Sequence, residues 1–142
     1  LFHSGYLAAK GANLIYPAVG VTAAGNGVVA FTLVGPSDFP SAAFAPINAS
    51  GVGAVDVVRA GAGPDDGFSG TFFFNAPNPP RPRWGDYGAA VVVGNNVWMA
   101  SEYIGQTCTF AEYTATPFGS CGATRTSLAN WDTRITEVTP AS

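Results

Sequence analysis

The second half of the chain carries charged and hydroxyl side chains that could bind a ligand or take part in catalysis. Asp86 offers a carboxylate, and the neighbours Glu102 and Tyr103 offer a second carboxylate and a phenol hydroxyl. Arginines bind carboxylates through paired hydrogen bonds, and three are candidates: Arg83, Arg125 and Arg134. Successive side chains of a strand point to opposite faces, so Glu102 and Tyr103 would not act together. We therefore predict no catalytic residue in this chain, and we predict that Arg83, Asp86, Arg125 and Arg134 bind a ligand.

The same region also has a structural interpretation. Arg83 and Arg134 could each pair with an acid, such as Asp86 or Asp132, and hold a turn between strands. The three tryptophans are predicted to fill a core between sheets rather than to serve as sugar platforms; they are Trp84, Trp98 and Trp131. Three successive rings cannot all lie on one face of a strand. The predicted interface is therefore Phe72, Phe73, Phe74 and Trp84.

Two cysteines, Cys108 and Cys121, flank a segment that contains Pro117 and Gly119. This spacing suits a disulfide that ties a loop, and such a bond would add about 3 kcal/mol of stability. The alternative is two reduced thiols in a cytosolic protein. A composition rich in Gly and Pro and poor in Lys favours the disulfide and predicts a secreted protein.

We predict no metal site and no cofactor. The chain has a single histidine, His3, and no second cysteine pair, so the ligands of a zinc site are missing. Asp65 and Asp66 could coordinate a cation. Adjacent acids between Pro64 and Gly67 are more typical of a turn.

Composition predicts an all-β domain. The 142 residues include 18 Gly and 11 Pro, and good helix formers other than Ala are scarce. The net charge is −3 without a basic run, which argues against nucleic acid as a partner. Apolar runs are far shorter than the roughly 20 residues of a membrane helix, so we predict no membrane insertion. A chain that begins at Leu1 is expected to be a processed product or a fragment.

Apolar runs bounded by Gly, Pro and Asn predict a series of strands. The predicted strands are 1–9, 14–21, 28–34, 41–47, 54–59, 68–74, 89–93, 97–104 and 132–138. Residues 28–34 are expected to be buried on both faces. Asn26-Gly27 predicts a tight hairpin turn, because these residue types accept positive φ angles.

The strands form a repeat. Residues 68–74 echo 2–8, residues 87–92 echo 16–21, and residues 97–100 echo 28–31. This predicts two repeats, 1–67 and 68–142, each a four-stranded antiparallel β-propeller blade. Closed propellers need roughly four to eight blades. We therefore expect a larger six- or seven-bladed propeller, with the remaining blades on another chain or a missing segment; the alternative is two sheets packed as a sandwich.

Several segments resemble the C-terminal blades of secreted bacterial proteins with sialidase-like (BNR-type) β-propellers. They are residues 83–87, 96–104 and 130–135, with 16–18 and 35–43 resembling the preceding blade. The resemblance spans most of the chain and implies an extracellular structural or binding role, with loops that contact a carbohydrate or protein ligand. Two alternatives are part of a sialidase-like glycoside hydrolase, and a subunit that packs into an extracellular assembly through its Phe-rich strand.

Overall fold

The structure is a computed structural model that describes residues 4–69, 84–125 and 127–141. Within these residues the chain forms eight strands and one short helix. In chain order they are β1 (Asn13–Val21), β2 (Gly27–Gly35), β3 (Asp38–Asn48), β4 (Gly51–Val52), β5 (Asp56–Arg59), β6 (Ala89–Val93), β7 (Asn96–Ile104), α1 (Phe110–Thr114) and β8 (Trp131–Val138). All strand pairs are antiparallel, which confirms the predicted all-β class.

The first sheet, sheet A, contains β1 to β5. Its strands follow the order β1-β2-β3, and both β4 and β5 pair with β3. The turn between β1 and β2 is closed by hydrogen bonds from Gly25 N to Thr22 O and from Thr22 N to Asn26 O. Gly25 carries the positive φ of 85°. The hairpin lies where the sequence predicts it. The prediction that Asn26-Gly27 supplies the positive φ angle was wrong, because Gly25 adopts it instead.

The second sheet, sheet B, has the order β6-β7-β8. Val93 pairs with Asn96, so Gly94 and Asn95 form a two-residue turn, in which Gly94 has a φ of 61°. The connection from β7 to β8 contains α1 and both cysteines. Ala62 N donates to Ile104 O across 2.8 Å, which fastens the start of this connection to the loop that follows β5.

The two sheets pack face to face around one apolar cluster. Its buried members are Val28, Ala30, Phe44, Val97 and Met99. Gly20 makes this close packing possible, because a Cβ there would lie 2.6 Å from Val97 Cγ1. A hydrogen bond also links the two sheets, in which Thr32 Oγ1 donates to Glu102 O across 2.9 Å. The described residues therefore form a two-layer β arrangement.

The other face of sheet A is covered by the chain's own N-terminal residues. Buried Phe31 and Leu33 of β2 pack there, and Leu7, Ala9 and Ala12 lie against their cluster. This confirms that β2 is buried on both faces. Residues 4–9 are not a strand, so that part of the first predicted strand was wrong; they cover the sheet and do not join its ladder.

Residues that the predicted repeat makes equivalent lie in one cluster between the sheets. The comparison of 97–100 with 28–31 aligns Val97 with Val28 and Met99 with Ala30, and all four belong to the shared cluster. Sheet B has three strands among the described residues. Most of the strand predicted at 68–74 lies outside them, while Phe68 and Ser69 form a bend.

Candidate functional site

The two cysteines are bonded to each other, as the sequence predicts. Cys108 and Cys121 form a disulfide with their Cα atoms 5.9 Å apart. The loop between them contains α1, which the composition did not predict. Thr109 Oγ1 accepts from Glu112 N, and the Glu112 carboxylate accepts from Thr109 N across 2.8 Å. This capping box begins the helix, and its Thr-x-x-Glu pattern is visible in the sequence.

Arg125 lies just beyond this loop in a buried ion pair. Its Nη2 is 3.1 Å from Asp66 Oδ2, and the two side chains are only 1% and 5% exposed. Arg125 Nη1 donates to Leu128 O across 3.2 Å, and the guanidinium lies 5.4 Å from the Tyr113 ring centroid. Arg125 is therefore committed to internal contacts, although the sequence predicts that it binds a ligand.

The ion pair holds the loop after β5 against the disulfide-tied segment. Asp66 Oδ1 accepts from Phe68 N at 3.0 Å and from Ser69 N at 2.9 Å, so the acid also closes a turn. Nearby, Asn130 Nδ2 donates to Pro64 O across 3.1 Å. These contacts fix the position of Pro64 and Asp65.

Pro64 and Asp65 form one wall of a cavity of about 460 Å³ at the end of sheet A. The other walls come from the start of β1, the turn between β2 and β3, and Trp84. Apolar side chains dominate the lining, and they are Ile15, Val34, Phe39, Pro40, Pro64 and Trp84. The volume lies within the ~300–1,000 Å³ typical of small-molecule sites.

The charged residues that line this cavity are two acids, and an indole lies beside them. Asp38 and Asp65 are the acidic lining residues. Burial raises the pKa of Asp65, and the charge of Asp66 raises it further, against the effect of a hydrogen bond from Gly67 N. The buried indole nitrogen of Trp84 has no hydrogen-bond partner in the described part of the chain. The cavity thus combines aromatic walls with two acidic residues.

Asp86 and the Glu102-Tyr103 pair lie elsewhere. Burial raises the pKa of Glu102, and the negative charge of Asp86 adds to this rise, so these two acids are close. Tyr103 instead lies beneath Arg59 of sheet A, with the guanidinium 5.6 Å from its ring centroid. Glu102 and Tyr103 therefore have different surroundings.

The remaining predicted residues are not brought into the cavity. Arg134 is exposed on β8 and pairs with Ser101 of β7 in the sheet register. Arg83 and the three phenylalanines Phe72, Phe73 and Phe74 lie outside the residues that the structure describes. Trp84 lines the cavity. Ligand binding by Arg83, Asp86, Arg125 and Arg134 stays a prediction.

Trp98 and Trp131 are not part of the core between the two sheets. They are 40% and 46% exposed. Trp98 pairs with Val91 of β6, and the next pair on the same face joins Ala100 to Ile135. Val91 and Ile135 are 58% and 55% exposed. Together Val91, Trp98 and Ile135 make an open, largely apolar patch on the outer face of sheet B, where Glu137 lies opposite Trp98.

The cavity was not predicted, although one of its lining residues, Phe39, stands out in the sequence. Phe39 lies between Asp38 and Pro40 in a turn-forming segment and is 51% exposed. An exposed ring beside turn residues indicates a contact surface, but sequence alone does not show that Trp84 and Asp65, both distant in the chain, come near it.

No helix among the described residues has the length and apolar character needed to cross a membrane. Comparison of the chain with protein-family models, with curated proteins and with solved structures finds no match.

Proposed function

We propose that this chain is a structural and binding portion of a larger extracellular β-propeller of the sialidase-like (BNR) kind. Its partner in this proposal is a further antiparallel sheet, supplied by another chain or by sequence beyond these 142 residues. The supporting observation is the open apolar patch of sheet B, which contains Val91, Trp98 and Ile135. Large apolar side chains exposed on one face of a sheet are characteristic of surfaces that another protein covers.

The opposite face of sheet B supports the choice of occupant. That face already packs on sheet A through Val97 and Met99. A second sheet on the outer face would bury Trp98 in the same manner, so sheet B would become the middle layer of a stack. Blades in a propeller are covered on both faces by their neighbours. The disulfide supports the extracellular location, because such bonds persist in oxidising compartments.

A second architecture is favoured by one observation. Blades related by rotation about a common axis present equivalent residues in the same direction. Here Val28 and Ala30 lie in one cluster with Val97 and Met99, which the predicted repeat makes their equivalents. Two sheets related by a two-fold axis bring equivalent residues together in this way. A self-contained sandwich, with no further blade, is therefore the alternative.

The two architectures differ in the behaviour of the isolated chain. If a further sheet belongs on the patch, the chain will self-associate in light-scattering measurements and will bind the dye ANS. Trp98→Arg and Ile135→Lys will each reduce both properties without lowering the melting temperature. A matched control is Val57→Lys, since Val57 is an exposed valine of β5 in sheet A, 48% exposed. A cooperatively folded monomer that binds no ANS would contradict the propeller and favour the sandwich.

A further inference from the structure

Strand β8 forms an open edge of sheet B. It pairs with β7 on one side, and the sheet has the order β6-β7-β8. In sheet A the third strand, β3, has β2 on one side and both β4 and β5 on the other. Among the described residues, no strand occupies the corresponding place beside β8. An open edge of this kind can pair with another extended chain.

The register shows which backbone groups lie on this edge. Gly105 N donates to Asn130 O across 3.0 Å, in the same register as the β7–β8 pairs. Hydrogen-bonded and non-hydrogen-bonded pairs alternate along an antiparallel ladder. Trp131, Thr133 and Ile135 therefore lie in non-hydrogen-bonded pairs with β7, and their N–H and C=O groups point away from it. These groups require hydrogen-bond partners from outside the sheet.

The edge lacks three features that commonly prevent strand pairing, namely Pro residues, Lys side chains and β-bulges. By contrast β1, which ends sheet A, contains Pro17 and a register shift between Ile15 and Ala18. β8 is eight residues long, contains no Pro, Gly or Lys, and pairs with β7 without a register shift. Its edge is therefore long and regular enough to take a further strand.

The sequence of β8 is complementary to itself in an antiparallel pairing. With a two-fold axis at Thr133, Asp132 of each copy lies opposite Arg134 of the other. Trp131 lies opposite Ile135, and Thr133 lies opposite its own equivalent. These are opposite-charge, aromatic–β-branched and Thr–Thr pairs, and each kind stabilises neighbouring strands. An axis one residue away, at Asp132 or at Arg134, would place that charge opposite itself.

The side chains that form these pairs are accessible. Trp131 and Ile135 are 46% and 55% exposed, and Thr133 and Arg134 are also exposed. Asp132 is half-buried. Within the described part of the chain, neither Asp132 nor Arg134 has an ion-pair partner. Both charges can therefore pair with a second copy without first breaking an ion pair.

We propose that two copies of this chain associate through β8 and join their three-stranded sheets B into one continuous sheet. Trp131, Thr133 and Ile135 of each copy supply the backbone hydrogen bonds, and the two pairs of Asp132 with Arg134 fix the register. One pair of edge strands buries little surface, so the dimer is weak and depends on concentration. The edge is separate from the outer face of sheet B, and failure of either proposal leaves the other unaffected.

Sedimentation velocity over a concentration series tests the dimer with charge-reversal variants. Asp132→Arg places two arginines opposite each other, and Arg134→Asp does the same with two acids. The two-fold axis repeats each change, so the dissociation constant should rise by about tenfold or more. The double variant, Asp132→Arg with Arg134→Asp, restores both ion pairs and should dimerise like the native chain.

Mixing the two single variants gives the sharpest readout. The mixture opposes two arginines to two acids, so it should form a heterodimer although each variant alone dimerises poorly. Circular dichroism verifies folding. Asp132 lies close to Gly105, so the exposed variant Arg134→Asp carries the test if Asp132→Arg does not fold. Trp98→Arg is the control, because Trp98 lies on the outer face and not on the edge, and this variant should keep the native dimer affinity.

Three outcomes would overturn the assignment. One is a native chain that stays monomeric across the concentration series. Another is that folded Arg134→Asp dimerises as tightly as the native chain does. The third is that Trp98→Arg abolishes the dimer while the charge reversals leave it unchanged, which would place the association on the outer face of sheet B.

Discussion

Replacing Arg125 with Met should destabilise the protein more than any exposed substitution. Arg125 and Asp66 are 1% and 5% exposed, and their nitrogen and oxygen atoms are 3.1 Å apart. Methionine leaves the Asp66 carboxylate buried without its countercharge, which typically costs about 3–5 kcal/mol. Asp66 retains its bonds from Phe68 N and Ser69 N, so we expect the lower end, about 3 kcal/mol. In a domain of this size that corresponds to a drop of roughly 10 °C in the melting temperature.

Urea denaturation of four proteins measures the interaction directly. They are the native chain, Arg125→Met, Asp66→Asn and the double variant. The two single effects should not add, because both remove the same ion pair, and the coupling free energy should exceed about 1 kcal/mol. Arg134→Met is the control, since an exposed arginine on β8 should change stability by less than about 0.5 kcal/mol. A loss below about 1 kcal/mol for Arg125→Met, or a coupling near zero, would refute the reasoning.

The pH dependence gives a second readout of the same pair. Burial by itself raises the pKa of Asp66, but hydrogen bonds from Ser69, Phe68 and Arg125 outweigh it and hold the pKa below the ordinary value of 3.8. A lowered pKa in the folded state stabilises the protein above pH 3.8, and this stabilisation is lost as the pH falls through the lowered value. Asp66→Asn should lack this part of the acid-induced loss. An unchanged acid profile in that variant would contradict the role of the carboxylate.

Four further predictions concern other parts of the chain. Gly20→Ala should cost about 1–3 kcal/mol in a urea titration, because a Cβ there collides with β7; a neutral effect would show that the sheets adjust freely. Exchanging Cys108 and Cys121 together for Ser should cost about 3 kcal/mol, and equal melting temperatures for the two proteins would disprove a stabilising disulfide. The pKa of Asp65 is raised in the folded protein, so ionisation of this carboxyl group opposes folding as the pH rises through the raised value. Asp65→Asn should therefore be more stable than the native chain at pH 7 but not below pH 3.8, and thermal melting at the two pH values measures the difference. Fluorogenic sialosides should not be hydrolysed by the native chain, and a turnover that Arg134→Ala abolishes would restore the hydrolase interpretation.

Local sequence signals predicted the strands well because each depends on neighbouring residues. The run from Val28 to Val34 is apolar on both faces and forms the doubly buried β2. Residues 4–9 have similar local character but form no strand, since no partner strand pairs with them. The short helix α1 was missed because composition averages over the chain, whereas its capping box depends only on Thr109 and Glu112.

The site was less accessible to such reasoning. Arg125 and Arg134 look alike in the sequence, yet one is buried against Asp66 and the other is exposed on β8. The same holds for the tryptophans, because Trp84 lines the cavity while Trp98 lies on an open face. Residue type indicates which interactions a side chain can form, and its burial in the fold decides which of these interactions it makes.

By itself, the sequence determined the all-β class, most strand positions and the Cys108–Cys121 disulfide. These follow from side-chain alternation, from turn residues and from two cysteines a short distance apart in the chain. Only the tertiary structure decided which faces of the sheets meet, and it alone brought Phe39, Asp65 and Trp84 to one cavity. Such long-range contacts depend on how whole sheets pack, and packing is a property of complementary surfaces that no local pattern of residues encodes.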